Sequence, residues 1–279
     1  MRSAKLAPVQ TEDRATGADT THVATAGDPG GEPLLLLHGT GPGATGALSF
    51  RPLLPGVATY RCIMPDLVGF GHSSHPETLP PGPGPWFRRR VDAVLRLLDD
   101  LGLDRVHVAG HSYGARVALE LAVHAPERLG RIVLMGAGGT PVKARLGTLT
   151  AFYESPSEEA MHALVSAQLS RGDVPGIDDY VKERFAIAVR PEVRRSFQAA
   201  MAPGDPAPVY DEPVLAGIPH PVLAVHGKDD GTISPAAGLF LAEHLPHADL
   251  HLFADCGHLL QFEVPDRLGA LIREFLAAA

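Results

Sequence analysis

VHVAGHSYGARVALELAVH, residues 106–124, is the stretch on which the fold turns. Residues 106–109 form a short apolar run of the kind that makes a strand. Gly110-His111-Ser112-Tyr113-Gly114 follows and fits G-x-S-x-G. Residues 115–124 then read as a helix, stopped by Pro126. A strand that bends sharply into a helix through two glycines is the setting of a nucleophile elbow, with the Ser112 hydroxyl exposed above the sheet. The same spacing also suits a serine that merely caps an ordinary helix. The rest of the chain has to decide between the two.

Outward from this stretch, short apolar runs recur at 34–37, 61–66, 132–135, 222–225 and 249–253, with a further strand around 20–25 after a mobile start. Such runs suit strands buried on both faces of a parallel sheet. Helical stripes lie between them at 91–101, 115–124, 235–244 and 266–277. Residues 78–86 are rich in Pro and Gly and read as irregular. The alternation predicts a doubly wound α/β fold with a mostly parallel sheet. It breaks between 141 and 212, where helical patterns at 157–168, 178–189 and 193–201 appear without a strand. A core of 1–140 and 213–279 is therefore expected, with 141–212 inserted as a helical lid.

Composition narrows the function. The 279 residues are 45% hydrophobic and 20% charged, as in ordinary globular proteins. The net charge of −8 argues against nucleic acid and anionic membranes as partners, although protonation of the 14 histidines at low pH would reverse its sign. Two cysteines, Cys62 and Cys256, exclude a disulfide framework and a CxxC metal cluster. No apolar run approaches the ~20 residues of a membrane span. Residues 1–28 have no signal-peptide apolar region, so the cytoplasm is the expected compartment. A homo-oligomer is compatible with the sequence.

A serine hydroxyl needs a base within reach. His258, in Cys256-Gly257-His258 after the last predicted strand, is the best placed of the histidines. The base needs an acid to fix its tautomer. Asp229 and Asp230 follow the strand at 222–225 and compete for that role. The order Ser112, Asp230, His258 is the chain order of α/β-hydrolase triads, and the usual placement of the acid in that fold favours Asp230. Donors for an oxyanion are expected from the Tyr113 backbone N–H and from the glycine-rich loop at 38–43, where Thr40 and Gly41 are the candidates. That loop lacks the Lys-Ser/Thr of a phosphate-binding loop. No H-E-x-x-H occurs, and neither a metal nor a cofactor is expected.

With these residues in view the chain resembles the α/β-hydrolase superfamily from about residue 20 to its end. Within it, HGTGPGATG at 38–46, PDLVGFGHS at 65–73, LMGAGG at 134–139 and CGHLLQFE at 256–263 are similar to motifs of the meta-cleavage-product hydrolases. Those cofactor-free enzymes hydrolyse a C–C bond in 2-hydroxy-6-oxo-dienoates derived from aromatic ring cleavage. The segment ERFAIAVRP at 183–191 resembles the family's stretch with a carboxylate-binding arginine, which makes Arg184 the matching position and Arg190 a second candidate. The chain departs from the pattern at substrate-touching positions: His111 and Ser49 stand where asparagines are usual, and Leu259 where Trp is usual.

The resemblance implies that the dienol substrate is first ketonised and that Ser112, or a water, both activated by His258, then attacks the C6 ketone. Three readings follow: a C–C hydrolase of this type, a carboxylesterase or lactonase with the same triad, and a non-catalytic ligand-binding protein. Apolar lid residues Phe152, Leu164 and Phe185 are expected to line the pocket.

Overall fold

A computed structural model describes residues 8–278. Eight strands form one sheet: β1 (Gln10–Thr16), β2 (Asp19–Gly27), β3 (Pro33–Leu37), β4 (Arg61–Pro65), β5 (Val106–His111), β6 (Leu129–Met135), β7 (Val222–Gly227) and β8 (Ala248–Phe253). Their spatial order is β1-β2-β4-β3-β5-β6-β7-β8. β2 runs antiparallel to both β1 and β4, and all the other pairs are parallel. This is the expected α/β-hydrolase architecture. No described helix is long and apolar enough to cross a membrane.

The apolar runs are continuous because each strand feeds two cores. Successive side chains point to opposite faces. Leu35, Leu37, Ile63, Val108, Ile132 and Leu134 pack on one face, against α2 (Pro83–Asp100) and α3 (Tyr113–His124), among others. Leu34, Leu36, Met64, Ala109, Val133 and Val225 pack on the other, where Phe50, Leu54, Leu268 and Ile272 cover them. Each fully buried large side chain contributes roughly 1.5–3 kcal/mol, so the central strands are the most firmly held part of the chain.

Between β6 and β7 lie α4 (Gly147–Ala151), α5 (Glu158–Ser166), α6 (Ile177–Ala188), α7 (Pro191–Met201) and α8 (Glu212–Ala216), with no strand among the described residues. The chain ends in α9 (Ala236–His244), β8, α10 (Leu260–Glu263) and α11 (Pro265–Ala277).

Two readings of the sequence need correction. Residues 10–16, read as part of a mobile start, form edge strand β1, which is mostly exposed and polar and so lacks any apolar signature. The segment read as irregular up to Trp86 is already helical from Pro83, because a proline without an N–H is tolerated in a first helical turn. The five-residue helices α1 (Gly46–Phe50), α4 and α8 and the four-residue α10 are too short to show a stripe.

The loop after β3 is locked by His38, which is fully buried. Its Nδ1–H donates to the Gly39 carbonyl at 2.8 Å, and its Nε2 accepts from the Leu67 N–H at 3.0 Å. Burial lowers the His38 pKa from 6.5 to about 4. A depressed histidine pKa means that the unfolded chain takes up the proton first, so this contribution is intact above pH 6.5 and is lost as pH falls toward 4. The expected loss from His38 alone is roughly 2 kcal/mol between pH 6.5 and about pH 5. Urea unfolding at several pH values should show this slope in the wild type and a flatter one in His38→Asn.

Candidate active site

The parallel strands deliver four loops to one edge of the sheet, at their C-terminal ends, where open α/β sheets bind ligands. Ser112 joins β5 to α3 at φ 54° and ψ −111°, a left-handed conformation that costs a non-glycine residue about 1–3 kcal/mol. Its N–H donates to the Met135 carbonyl at 2.8 Å, and its carbonyl accepts from the Gly138 N–H at 3.0 Å. A side chain at Gly110 would strike the backbone of Gly114, and one at Gly114 would strike that of Leu37. These glycines let strand and helix meet closely enough to hold the turn. Ser112 is therefore not an ordinary helix cap: its side chain makes no capping hydrogen bond.

Asp230 follows β7 and is buried. Its Oδ1 accepts from the N–H groups of Thr232 and Ile233 at 2.8 and 2.9 Å. Its Oδ2 lies 2.7 Å from His258 Nδ1 and 3.1 Å from His226 Nε2. Burial pushes this carboxyl upward, but the hydrogen bonds from His226 and His258 outweigh it and hold the group below the usual carboxylate range. Asp229 turns away and accepts from Ser170 Oγ at 2.7 Å. The contact with His258 is thus made by Asp230 and not by its neighbour.

His258 is buried between two backbone contacts. Its N–H donates to the Gln168 carbonyl at 2.7 Å, and its carbonyl accepts from His111 Nε2 at 2.9 Å. The rings of His111 and His258 lie 4.7 Å apart. Burial, with His258 beside it, pushes the His111 pKa down to about 3, so His111 is neutral in ordinary buffers. The expected hydrogen bond between Ser112 Oγ and His258 Nε2 is not formed. Bonds of this kind often close only in the complex with substrate.

A cavity of about 20 Å³ is lined by Gly39, Thr40, Ser49, His111, His258 and Leu259, together with Gln168, Tyr180, Arg184 and Gln261. It has room for little more than a water molecule. A larger hollow of about 610 Å³ lies beside Arg105 and Arg131 at the opposite ends of the strands, away from this group. Gly39 packs against the nucleophile turn: a Cβ there would sit 3.2 Å from Ser112 Cβ. Tyr113 opens α3, where N–H groups have no intrahelical acceptor. Its phenol oxygen accepts from Arg90 Nη1 at 2.9 Å.

Arg184 on α6 is only 2% exposed. Its Nε donates to the Pro42 carbonyl at 2.8 Å and its Nη1 to Tyr180 Oη at 3.1 Å, while Nη2 lies against Gly41. It forms no ion pair with any carboxylate among the described residues, which leaves a buried cation uncompensated. Arg190 lies elsewhere, paired with Glu192 at 2.7 Å. Phe152, Leu164 and Phe185 do not line the cavity. Phe152 packs on Tyr153 and Phe185, and the lining from this segment is supplied by Gln168, Tyr180 and Arg184. A glutamine and a tyrosine at these positions carry no spacing signal, and the sequence reading missed them, as it missed Gln261 and His226.

The segment 168–170 is tied to the histidine loop by further bonds. Glu263 accepts from the Gly257 N–H at 2.8 Å and from the Ser170 N–H at 2.7 Å. Burial raises the pKa of this carboxyl.

Known proteins share this fold and much of this sequence. The model of the alpha/beta hydrolase fold family matches residues 32–265. The chain is 36% identical to the 2-hydroxymuconate semialdehyde hydrolase of Pseudomonas putida, over 89% of this chain and 88% of that one. It is 34% identical to the 2-hydroxy-6-oxo-6-phenylhexa-2,4-dienoate hydrolase of Burkholderia cepacia, over 92% and 91%. The solved 2-hydroxy-6-oxo-6-phenylhexa-2,4-dienoate hydrolase of a Rhodococcus species superposes with a TM-score of 0.91 at 36% identity, covering 97% of this chain and 99% of the other. On the fold, the Ser112 elbow and these relatives together, the chain belongs to the α/β-hydrolase fold family, among the meta-cleavage-product hydrolases.

Proposed function

We propose that the protein hydrolyses the C5–C6 bond of a 2-hydroxy-6-oxo-dienoate. The observation that carries this reading is Arg184: a buried guanidinium, free of any ion pair among the described residues, that lines the same cavity as His258. A dienoate brings a permanent carboxylate. Enclosing that anion costs several kcal/mol unless a cation meets it. The guanidinium offers a planar carboxylate donors in matching geometry. A simple ester has no need of such a group.

In this reading Arg184 holds the substrate carboxylate, with His111, Ser49 and Leu259 against the dienoate. Ketonisation moves the proton of the 2-hydroxyl to C5. His258, oriented by Asp230, then takes the proton of Ser112 as the hydroxyl oxygen attacks the C6 carbonyl. The backbone N–H of Tyr113 and donors at Thr40 and Gly41 stabilise the oxyanion. Collapse breaks the C5–C6 bond, and its electron pair passes into the 2-oxo acid, which leaves as the 2-hydroxydienoate with a proton from His258. Water, activated by the same histidine, releases the carboxylic acid from Ser112. Residues 141–212 act as a lid, because Gln168, Tyr180 and Arg184 reach the cavity from that segment.

Purified protein assayed in parallel against dienoate ring-cleavage products and p-nitrophenyl esters should bleach the dienoate chromophore with far less ester turnover. Ester turnover alone would move the assignment to a carboxylesterase or lactonase, and turnover of neither would favour a binding protein. In the same assay Ser112→Ala should lower kcat by on the order of a thousandfold or more. A near-wild-type rate would replace the covalent route with a water that His258 activates. Arg184→Ala should cost about 2–5 kcal/mol in kcat/KM for the dienoate and leave neutral esters nearly unchanged. An equal loss on both substrates would remove Arg184 from carboxylate recognition.

A further inference from the structure

His226 lies near the end of β7, four residues before Asp230, and has no part in the steps above. It is fully buried. Its Nε2 lies 3.1 Å from Asp230 Oδ2 and 3.0 Å from the Ile233 carbonyl oxygen. A carboxylate and a carbonyl only accept, so Nε2 carries the proton and donates. The other ring nitrogen, Nδ1, is buried against Gly238 with no hydrogen-bond partner among the described residues. A second proton there would be a buried donor with nothing to receive it. These partners place the ring proton on Nε2.

We propose that His226 is a positioning residue for the base: its Nε2–H, bonded to the Ile233 carbonyl at 3.0 Å, also lies 3.1 Å from the Asp230 oxygen that receives His258 Nδ1–H, and backs that carboxylate toward His258. The proposal rests on the triad assigned above. With Thr232 and Ile233 bonded to Oδ1, His258 bonded to Oδ2 and His226 Nε2 packed 3.1 Å from that same Oδ2, the carboxylate is held at both oxygens in its orientation toward His258.

The other ionisable groups around the pair are accounted for. His111 faces His258 from the end of β5. Asp229 is engaged with Ser170. Glu263, on α10, is held by Gly257 and Ser170, and Cys256 lies beside it, with Arg171 and Arg267 acting on Cys256. Among side chains of the described residues, His258 alone bonds to Asp230, with His226 Nε2 beside it at 3.1 Å.

The test compares His226→Phe, which removes the donor, with His226→Gln, whose amide N–H can reach the same place. Both kcat and KM are read with whichever substrate the parallel screen identifies. His226→Phe should lower kcat about tenfold with KM close to wild type, and His226→Gln should restore most of it. In wild-type protein carrying ¹⁵N-histidine, the His226 ring proton should sit on Nε2. This spectrum keeps the test open even if His226→Phe fails to fold. The proposal is overturned by a His226→Phe kcat that stays at the wild-type value while only Tm falls, by a His226→Gln kcat as low as that of the Phe variant, or by a His226 ring proton on Nδ1. Asp230→Asn separates the two levels: if it stays active the triad is wrong, whereas an inactive Asp230→Asn beside an unchanged His226→Phe kcat removes His226 alone.

Discussion

The junction of β5 and α3 holds a serine in a backbone conformation that serine avoids, and the rest of the molecule makes that conformation affordable. Ser112 is fixed from the β6 side by the Met135 carbonyl and by the Gly138 N–H. Neither bond forms unless β5 and β6 are parallel neighbours deep in the sheet. The helix can leave at once only because Gly110 and Gly114 have no side chains to collide with the backbone. A cost of about 1–3 kcal/mol is small against the burial of the central strands on both faces, and a strand at the sheet edge could not carry it.

Once the turn is placed, parallel strand directions do the remaining work. The loops after β3, β5, β7 and β8 leave the sheet at the same edge, and they bring Gly39, Ser112, Asp230 and His258. These positions are far apart in the chain. Their convergence follows from strand order, which is why a hydrogen bond between Asp230 and His258 spans 28 residues without any local contact.

Much of this was legible in the sequence. Leu34–Leu37 and Val222–Val225 announce doubly buried strands by having no polar alternation, and the Gly-x-Ser-x-Gly stretch announces the turn by its strand and helix flanks. Arg184 came through likeness to a family segment and not through chemistry, since an arginine on a lid helix reads equally well as solvated. Other features left no trace. β1 is an exposed edge strand whose polar residues pair through the backbone with β2, so side-chain pattern says nothing about it. Gln168, Tyr180 and Gln261 face inward on account of how their segments pack, which no spacing encodes. Phe152 and Phe185 were expected at the pocket on hydrophobicity alone, yet they meet each other. His226 sits four residues from Asp230, but at the end of an apolar strand it reads as one more core residue until the carboxylate is seen beside it.

The backbone bond from His258 to the Gln168 carbonyl ties the base to the segment between β6 and β7. Ser170 of the same segment donates its N–H to Glu263, which also accepts from the N–H of Gly257, the residue before the base. The loop that carries the base is thus stapled to a segment that also supplies part of the cavity wall through Gln168, Tyr180 and Arg184. A substitution that shifts this segment displaces the base together with the wall, so recognition and proton transfer share one support and cannot be altered independently there.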